Sequence, residues 1–297
     1  MISDAPYPDS EDASPVLEVS DLTKHYEDAP AVQELSFEVA PGEVLGLLGP
    51  NGAGKTTTLR TIAGILPVES GSIRVAGHDI TKAERAAKQR LAWVPDDPQP
   101  FDAMTIFEHL EFIARLYRVD TWESEAERLL ERFELTEKRE ALGGELSRGM
   151  RQKLAFCCAF LPRPRLLLLD EPLSGLDPRG IRSAKAAIAE IAREGVAVVL
   201  SSHQLDLVQE LASRLLVLER GQPVFDGTLD EARVAITGGA DAERLEDLFF
   251  ALTEGQPAGS DSAPGSTPVD APGSKTASPL ADDPLADDPF ADGPKQP

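Results

Sequence analysis

One glycine-rich stretch decides the fold of this 297-residue chain, and it reads Gly49-Pro50-Asn51-Gly52-Ala53-Gly54-Lys55-Thr56-Thr57. It fits the pattern G-x-x-x-x-G-K-[ST] and lies between an apolar run at 44–48 and a helix-like segment at 57–65. A buried strand, a glycine turn and a helix start are the context in which this pattern binds phosphate. The alternative, a glycine-rich turn with a solvated lysine, is disfavoured because strand and helix lie on the correct sides.

The residues of this loop have the chemistry of a phosphate cradle. Gly49, Gly52 and Gly54 let successive backbone N–H groups turn inward, since residues without Cβ reach dihedrals that others avoid. The helix that begins near Gly54 directs the positive end of its dipole at the same anion. Lys55 is predicted to reach the β- and γ-phosphates, and the Thr56 hydroxyl to be a ligand of Mg²⁺.

Composition narrows the class of protein. The hydrophobic content of 41% is ample for a packed core, and no apolar run approaches the roughly 18 residues that span a bilayer. The acidic beginning, MISDAPYPDSEDASP, lacks the apolar region of a signal peptide, so a cytosolic chain is expected. Cys157 and Cys158 are expected to be buried, reduced thiols because there is no second pair for a zinc site.

The formal charge of −22 is divided between the ends of the chain and its body. Residues 1–15 carry four acids and no base, and residues 255–297 carry seven acids and two lysines, which leaves −13 for the body. Nucleic-acid affinity depends on lysine and arginine side chains that neutralise phosphates. An acidic body therefore argues against duplex binding, and no nucleic-acid partner is expected.

Strands that alternate with helices predict a doubly wound parallel sheet. Strands are expected at 16–20, 35–39, 44–48, 72–75, 91–95, 166–169 and 196–200, and helices at 57–65, 107–117, 123–133, 146–160 and 178–194. The run Leu166-Leu167-Leu168-Leu169 is typical of a central strand buried on both faces. It leads into Asp170 and Glu171, which we expect at the carboxyl edge where open α/β sheets bind ligands.

The predicted organisation has four parts. Residues 1–15 form a disordered acidic tail, 16–236 an ATP-binding domain of the kind argued below, 237–254 an amphipathic helix, and 255–297 a disordered tail. The last part is rich in Pro, Ala and Asp and cannot bury enough surface to offset its ordering entropy. The five-residue spacing of Leu280, Leu285 and Phe290 leaves a short docking motif open beside a simple solvated tail.

A phosphate loop and a second strand that ends in Asp-Glu together predict an ATPase. Asp170 is expected to hold Mg²⁺ through water, and Glu171 could act as general base or orient the water that attacks the γ-phosphate. A solvated turn is the alternative for two adjacent carboxylates. The four leucines before them and the motifs downstream disfavour it.

With these motifs in this order, residues 16–252 resemble the ATP-binding subunit of an ABC transporter. The resemblance implies an α/β fold: a P-loop NTPase core with a mixed sheet, an antiparallel β subdomain and an α-helical signature subdomain. It implies ATP and Mg²⁺ as cofactors, a homodimer or a paired ABC ATPase subunit, and separate integral membrane permease subunits. The chain is then expected as a peripheral subunit on the cytoplasmic side of the cell membrane.

The resemblance also implies roles for single residues. Tyr26 matches the aromatic residue that stacks on adenine. Glu171 and His203 match the catalytic acid and the histidine that senses the γ-phosphate, although a histidine after a buried strand is ordinarily a capping or core residue. The segment 174–177 resembles the loop that crosses the dimer interface, with Asp177 as its acid.

The signature of the family matches the segment Leu146-Ser147-Arg148-Gly149-Met150. Residues 147–150 are expected to contact the γ-phosphate that the partner subunit binds, chiefly through Ser147 and Gly149. The signature commonly has Gly at the position of Arg148 and Gln at the position of Met150. Arg148 either adds a cation near the incoming phosphates or forms a salt bridge with an acid such as Glu145.

A third departure lies in the loop that follows residues 91–95. Asp96 occupies the position of a family glutamine that contacts Mg²⁺ and reports to the membrane subunit. A carboxylate can still coordinate a hard cation, so Asp96 is expected in the metal site, with Gln99 as a second candidate. The extra negative charge near the triphosphate is expected to alter the coupling.

The resemblance implies a cycle in which two subunits clamp two ATP molecules and hydrolysis reopens them, which moves the helices of a permease. Export is favoured because importer subunits more often append a β-domain after the position of residue 240, and no strand-rich sequence follows here. The alternative is a soluble ABC-type ATPase that acts on ribosomes or DNA, but such relatives usually have two cassettes or a coiled-coil insertion and basic surfaces. A small-molecule kinase would not explain residues 147–149, Asp177 or His203.

Overall fold

The computed structural model of the chain describes residues 14–26, 29–202 and 205–232. Three groups of expectations lie outside these residues: the tail at 1–13, His203, and the helix and tail that begin at 237 and 255. The domain boundaries given above therefore stay predictions. The described part contains a four-stranded sheet, a six-stranded sheet and seven α-helices.

The four-stranded sheet is antiparallel, with strand order β2-β1-β4-β5. Its strands are β1 (Leu17–Tyr26), β2 (Ala29–Val39), β4 (Ser70–Val75) and β5 (His78–Asp79). Strands β1 and β2 extend further than the sequence predicts. Their pairing shifts register around Leu22, and Asp21 has a φ of 51°, so bulges interrupt the strict alternation of burial that marks a strand in sequence.

The six-stranded sheet has the order β10-β9-β3-β8-β7-β6. Its strands are β3 (Val44–Leu48), β6 (Leu91–Val94), β7 (Leu166–Asp170), β8 (Ala197–Ser201), β9 (Arg214–Glu219) and β10 (Gln222–Thr228). Five strands are parallel, and β10 pairs antiparallel with β9. Arg220 and Gly221 both have positive φ, 50° and 80°, as a two-residue hairpin requires. The predicted mixed sheet is therefore confirmed, and the antiparallel strand β10 is the departure from the parallel sheet that alternating strands and helices indicate.

The helices of the described part cover most of the predicted helical segments. They are α1 (Lys55–Ile62), α2 (Glu84–Lys88), α3 (Ile106–Tyr117), α4 (Trp122–Arg132), α5 (Arg148–Phe160), α6 (Pro178–Arg193) and α7 (Leu205–Leu211). Helix α3 starts at a capping box, in which the Thr105 hydroxyl and the Glu108 carboxylate each accept the other's backbone N–H. None of the described helices has the length and apolar content that a membrane span needs.

The parallel strands separate two hydrophobic cores. Strand β7 contributes to both: Leu167 and Leu169 pack with residues of α3 to α6, and Leu166 and Leu168 pack with the antiparallel sheet and α1. All four leucines are fully buried. The prediction of a central strand covered on both faces is confirmed, because side chains alternate between faces along a strand.

A cluster of phenylalanines holds α4 and α5 together. The rings of Phe133 and Phe156 are stacked with centroids 5.4 Å apart, and Phe160 packs on both. Nearby, Cys157 is buried and Cys158 partly buried, and both are free thiols. The cluster makes the helical subdomain part of the main core.

We expect Phe156→Ala to lower the free energy of unfolding by about 3–5 kcal/mol, because it opens a cavity at a fully buried aromatic site. Phe112 on α3 is 44% exposed, so Phe112→Ala should change that free energy by less than about 1 kcal/mol. Urea unfolding of both variants measures the difference. Equal midpoints for the two variants would contradict the assignment of this cluster to the core.

Candidate functional site

The glycine loop joins the buried strand β3 to the first turn of α1. Gly54 is the N-cap residue, with a φ of 103°, and no side chain caps the helix. A Cβ at this position would lie 2.3 Å from the carbonyl oxygen of Ala31, so both the conformation and the space require glycine. The N–H of Thr58 donates to the Gly54 carbonyl at 2.8 Å, and by helix geometry the N–H groups of residues 55–57 have no acceptor within the helix. This end of α1 is suited to an anion.

The Lys55 side chain is folded into the loop and is almost fully buried. Its Nζ donates to the carbonyl oxygens of Gly49, at 2.6 Å, and Pro50, at 3.2 Å. Burial lowers the pKa of Lys55, and the negative charges of Glu171 and Asp170 act in the opposite direction. The ammonium group is thus held inside the loop, where it is attracted by the predicted carboxylates Asp170 and Glu171 at the end of β7.

Thr56 and Asp170 form the second contact between the loop and β7. The Thr56 hydroxyl donates to Asp170 Oδ1 at 3.2 Å, and Asp170 is 3% exposed. Burial raises the pKa of Asp170, the Thr56 hydrogen bond opposes this, and the charges of Glu171 and Asp96 add to it. A buried carboxylate of this kind is suited to a cation.

The Thr56 hydroxyl and the Asp170 carboxylate are oxygen ligands that fit Mg²⁺ bound together with a nucleotide. Mg²⁺ prefers oxygen ligands and is commonly held by one or two carboxylates together with substrate phosphates. The described residues contain no group of three or more His, Cys, Asp or Glu side chains that could hold a metal ion. Within the described part of the chain, the site has no protein cage for a metal ion, but it has the hydroxyl and the carboxylate that the prediction named.

Glu171 is held in a strained turn at the end of β7. Its φ is 47°, in the left-handed region that a side chain disfavours, and its N–H donates to the Ser201 carbonyl at 2.9 Å. The Ser202 hydroxyl donates to Glu171 Oε2 at 3.3 Å. Ser202, which directly follows the neighbouring strand β8, has no role predicted from the sequence. The backbone bond thus fixes the turn, and the Ser202 bond orients the carboxylate at the edge of the sheet.

Gln152 is a second residue near the site for which the sequence predicts no role. Its side chain is fully buried, and its Nε2 donates to the carbonyl oxygens of Pro172, at 3.1 Å, and Pro95, at 3.4 Å. These carbonyls follow β7 and β6, so Gln152 ties both loops to α5. The signal available in the sequence was a glutamine on the apolar face of a predicted helix.

The signature residues surround the start of α5. Ser147 is the N-cap, and its hydroxyl accepts from the Met150 N–H at 3.3 Å. Of the two alternatives for Arg148, the structure shows a salt bridge, and its acid is Asp96, whose Oδ1 lies 3.3 Å from Arg148 Nη2, not Glu145. The Glu145 carboxylate accepts from the backbone N–H of Leu142, which directs it back along the chain.

The remaining predicted residues lie on separate surfaces. Tyr26 ends β1 and is 49% exposed. Asp177 caps α6: its Oδ1 accepts from the Gly180 N–H at 2.6 Å, and this bond, then the charge of Lys153, lowers the pKa of Asp177. Gln99 donates to Asp97 Oδ2 at 2.7 Å. The roles of Tyr26 and Asp177 toward a nucleotide or a partner stay predictions, and His203 lies outside the described residues.

Comparison with known proteins identifies the family. Residues 32–174 match the family model described as ABC transporter. The chain is 34% identical over 241 residues to the ABC-type transporter ATP-binding protein EcsA of Bacillus subtilis, an alignment that covers 80% of this chain and 97% of EcsA. The chain belongs to the ABC transporter family.

Two further comparisons support its place among the ATP-binding subunits of that family. This ABC protein is 36% identical over 213 residues to the Nod factor export ATP-binding protein I of Burkholderia pseudomallei strain K96243, covering 71% of this chain and 70% of that protein. A solved structure of an ATP-binding subunit of an ABC transporter matches it with a TM-score of 0.75 and 32% identity, over 80% of this chain and 99% of that one. The predicted fold and family are confirmed, and the chain is an ATP-binding subunit.

Lys55→Ala should weaken ATP binding by about tenfold or more, because the substitution removes a buried cation from the phosphate loop. Titration with a fluorescent ATP analogue measures the affinity. Lys82→Ala is the matched control, since Lys82 is 84% exposed in an ion pair with Asp79. Unchanged affinity in Lys55→Ala would remove this lysine from the site.

Proposed function

We propose that this chain hydrolyses ATP at the cytoplasmic face of a cell membrane and powers export through separately encoded permease subunits. The observation that carries the proposal is the meeting of Lys55, Thr56, Asp170 and Glu171 at one edge of the six-stranded sheet, in a chain of the ABC transporter family. The direction is supported by the relative whose name describes it as a Nod factor export protein.

Each of these residues has a distinct task in hydrolysis. Lys55 and the N–H groups at the start of α1 bind the phosphates, and Thr56 and Asp170 would hold Mg²⁺. When bound, Mg²⁺ neutralises negative charge on the phosphate oxygens. Glu171 accepts the proton of the attacking water or orients that water, and the Ser202 hydroxyl keeps the Glu171 carboxylate in position.

A second subunit completes the site in this proposal. Residues 147–150 lie at the N-terminus of α5, where the helix dipole and backbone N–H groups attract anions. Through Ser147 and Gly149 this segment contacts the γ-phosphate bound by a homodimer partner or a paired ABC ATPase subunit. The loop that ends in Asp177 lies across the interface between the two.

Glu171→Gln should retain ATP and accumulate a closed dimer, because the amide keeps the shape of the side chain but cannot take the proton from water. Size-exclusion chromatography with ATP and Mg²⁺ measures the dimer. The control is the double variant Lys55→Ala, Glu171→Gln, which should stay monomeric because it binds ATP weakly. A monomer peak for Glu171→Gln under these conditions would count against paired subunits.

An exposed apolar surface supports the permease as a partner. Phe101, Phe112 and Leu116, here called the Phe101 surface, are 59%, 44% and 58% exposed. The ring of Phe101 packs edge-on against Phe112 with centroids 5.8 Å apart, and the Phe101 N–H donates to His109 Nε2 at 2.9 Å. Neighbouring exposed apolar side chains of this kind mark protein interaction sites.

The position of the Phe101 surface favours a cytoplasmic amphipathic segment of the permease as its occupant. A groove that includes Pro95, Pro98 and Gln99 continues from Phe101 toward the loop that carries Asp96. A permease segment bound in this groove contacts the loop that carries Asp96. The same loop borders the edge of the sheet where Mg²⁺ is expected. Movement at the nucleotide is thereby passed to the membrane subunit.

Affinity capture of the tagged full chain in mild detergent should recover a polytopic membrane protein, identified by mass spectrometry. The double variant Phe101→Ser, Phe112→Ser should lose it, because the apolar contact is removed. Ile65→Ser is the control, since Ile65 is 52% exposed outside the Phe101 surface. Recovery of ribosomal or DNA-repair proteins by the wild-type chain, without a membrane protein, would overturn the transport function.

A further inference from the structure

Two residues that depart from the usual family pattern meet in the structure. Besides its contact with Asp96 at 3.3 Å, Arg148 Nη2 donates to Ser174 Oγ at 2.7 Å. The three residues belong to separate segments: the start of α5, the loop after β6 and the turn after β7. One guanidinium group therefore joins three segments that border the nucleotide site.

The contact between Arg148 and the turn after β7 is also a packing contact. Gly175 has a φ of 77°, and a Cβ built there would lie 3.0 Å from both Cγ and Cδ of Arg148. The arginine stem thus lies against the backbone of Gly175, and a larger residue at 175 would displace it. The side chain of Arg148 is therefore positioned by its stem as well as by its charged end.

The charge of Asp96 needs a counter-charge. Val94 of β6 pairs with Leu169 of β7, so Asp96 follows β6 at the same edge of the sheet at which Asp170 ends β7. Three carboxylates near a triphosphate repel it when no cation is present. The family glutamine carries no such charge, and Arg148 provides the compensating charge at 3.3 Å.

Folding stability does not account for this pair. The Arg148 side chain is 53% exposed and that of Asp96 is 50% exposed. Ion pairs between side chains this accessible contribute little to folding because water and salt screen them. We therefore expect the Arg148–Asp96 pair to affect the binding of ATP, the charged ligand of the neighbouring site.

We propose that Arg148 is a positioning residue of the nucleotide site in its own subunit. It compensates the charge of Asp96 and holds the loop after β6 against the turn that follows Glu171. The two departures then act as one unit, in which a cation in the signature permits a carboxylate at the metal edge. This inference rests on the proposed function, because it takes Asp96 to border bound ATP and Mg²⁺.

A double-mutant cycle on ATP affinity tests the proposal. In EDTA, Arg148→Ala should weaken binding of a fluorescent ATP analogue about fivefold, because the charge of Asp96 is left uncompensated. Adding Asp96→Asn to Arg148→Ala should restore the affinity to within about twofold of wild type. In saturating Mg²⁺ the effect of Arg148→Ala should fall below about twofold, because the divalent cation replaces the lost charge.

Two further variants separate charge from folding. Arg148→Lys keeps the charge and should bind the analogue in EDTA within about twofold of wild type. Arg74→Ala is the matched control: Arg74 is 52% exposed, lies 3.8 Å from Glu18 and donates to the Gly77 carbonyl at 2.8 Å. Arg74→Ala should leave the affinity in EDTA unchanged. If Arg148→Ala does not fold, Arg148→Gln serves in its place.

The outcomes distinguish this proposal from the proposed function. Wild-type affinity in EDTA for Arg148→Ala, or a loss that Asp96→Asn fails to restore, would overturn the role of Arg148 and leave ATP binding intact. Equal losses in Arg148→Ala and Arg148→Lys would show a steric role and also overturn it. If the wild-type chain bound no nucleotide, the proposed function would fail, and this inference with it.

Discussion

The Asp170 carboxylate is buried at the end of β7, and it accepts a hydrogen bond from Thr56, the second residue of α1. Burial disfavours the charged form of this group, and the raised pKa of Asp170 records that cost. A cation beside the carboxylate relieves the cost, and the donors present suit Mg²⁺ with its phosphate ligands. The buried Asp170 carboxylate thus costs folding free energy and provides a negative charge for the cation.

This contact depends on the order of the strands. Strands β3 and β7 are not neighbours, because β8 lies between them and pairs with both. Ser201 of β8 pairs with Leu47 on one side and with Asp170 on the other. The parallel register therefore brings the phosphate loop and the Asp-Glu pair to the same edge, and it places Ser202 beside Glu171.

Helix α5 connects this edge to the helical subdomain through two side chains of different kinds. Gln152 is buried and donates to backbone carbonyls after β6 and β7, so any movement of its side chain breaks two hydrogen bonds. Arg148 joins the same two loops from an exposed position. Its bonds go to the side chains of Ser174 and Asp96, and water can compete for these bonds. The buried hydrogen bonds of Gln152 fix the two loops in position. The exposed ion pair of Arg148 sets the net charge of the loop that carries Asp96.

The sequence alone determined the motifs and the secondary structure that depend on neighbouring residues. The glycine loop, the leucine strand with its acids, the amphipathic helices and the family follow from residues close together in the chain, because turn geometry and side-chain periodicity are local properties. Only the tertiary structure decided the partner of Arg148, the two bonds of Gln152, the bulges of β1 and the antiparallel edge strand β10. Each of these depends on which distant segments become neighbours, and that is set by sheet register and core packing across the whole fold.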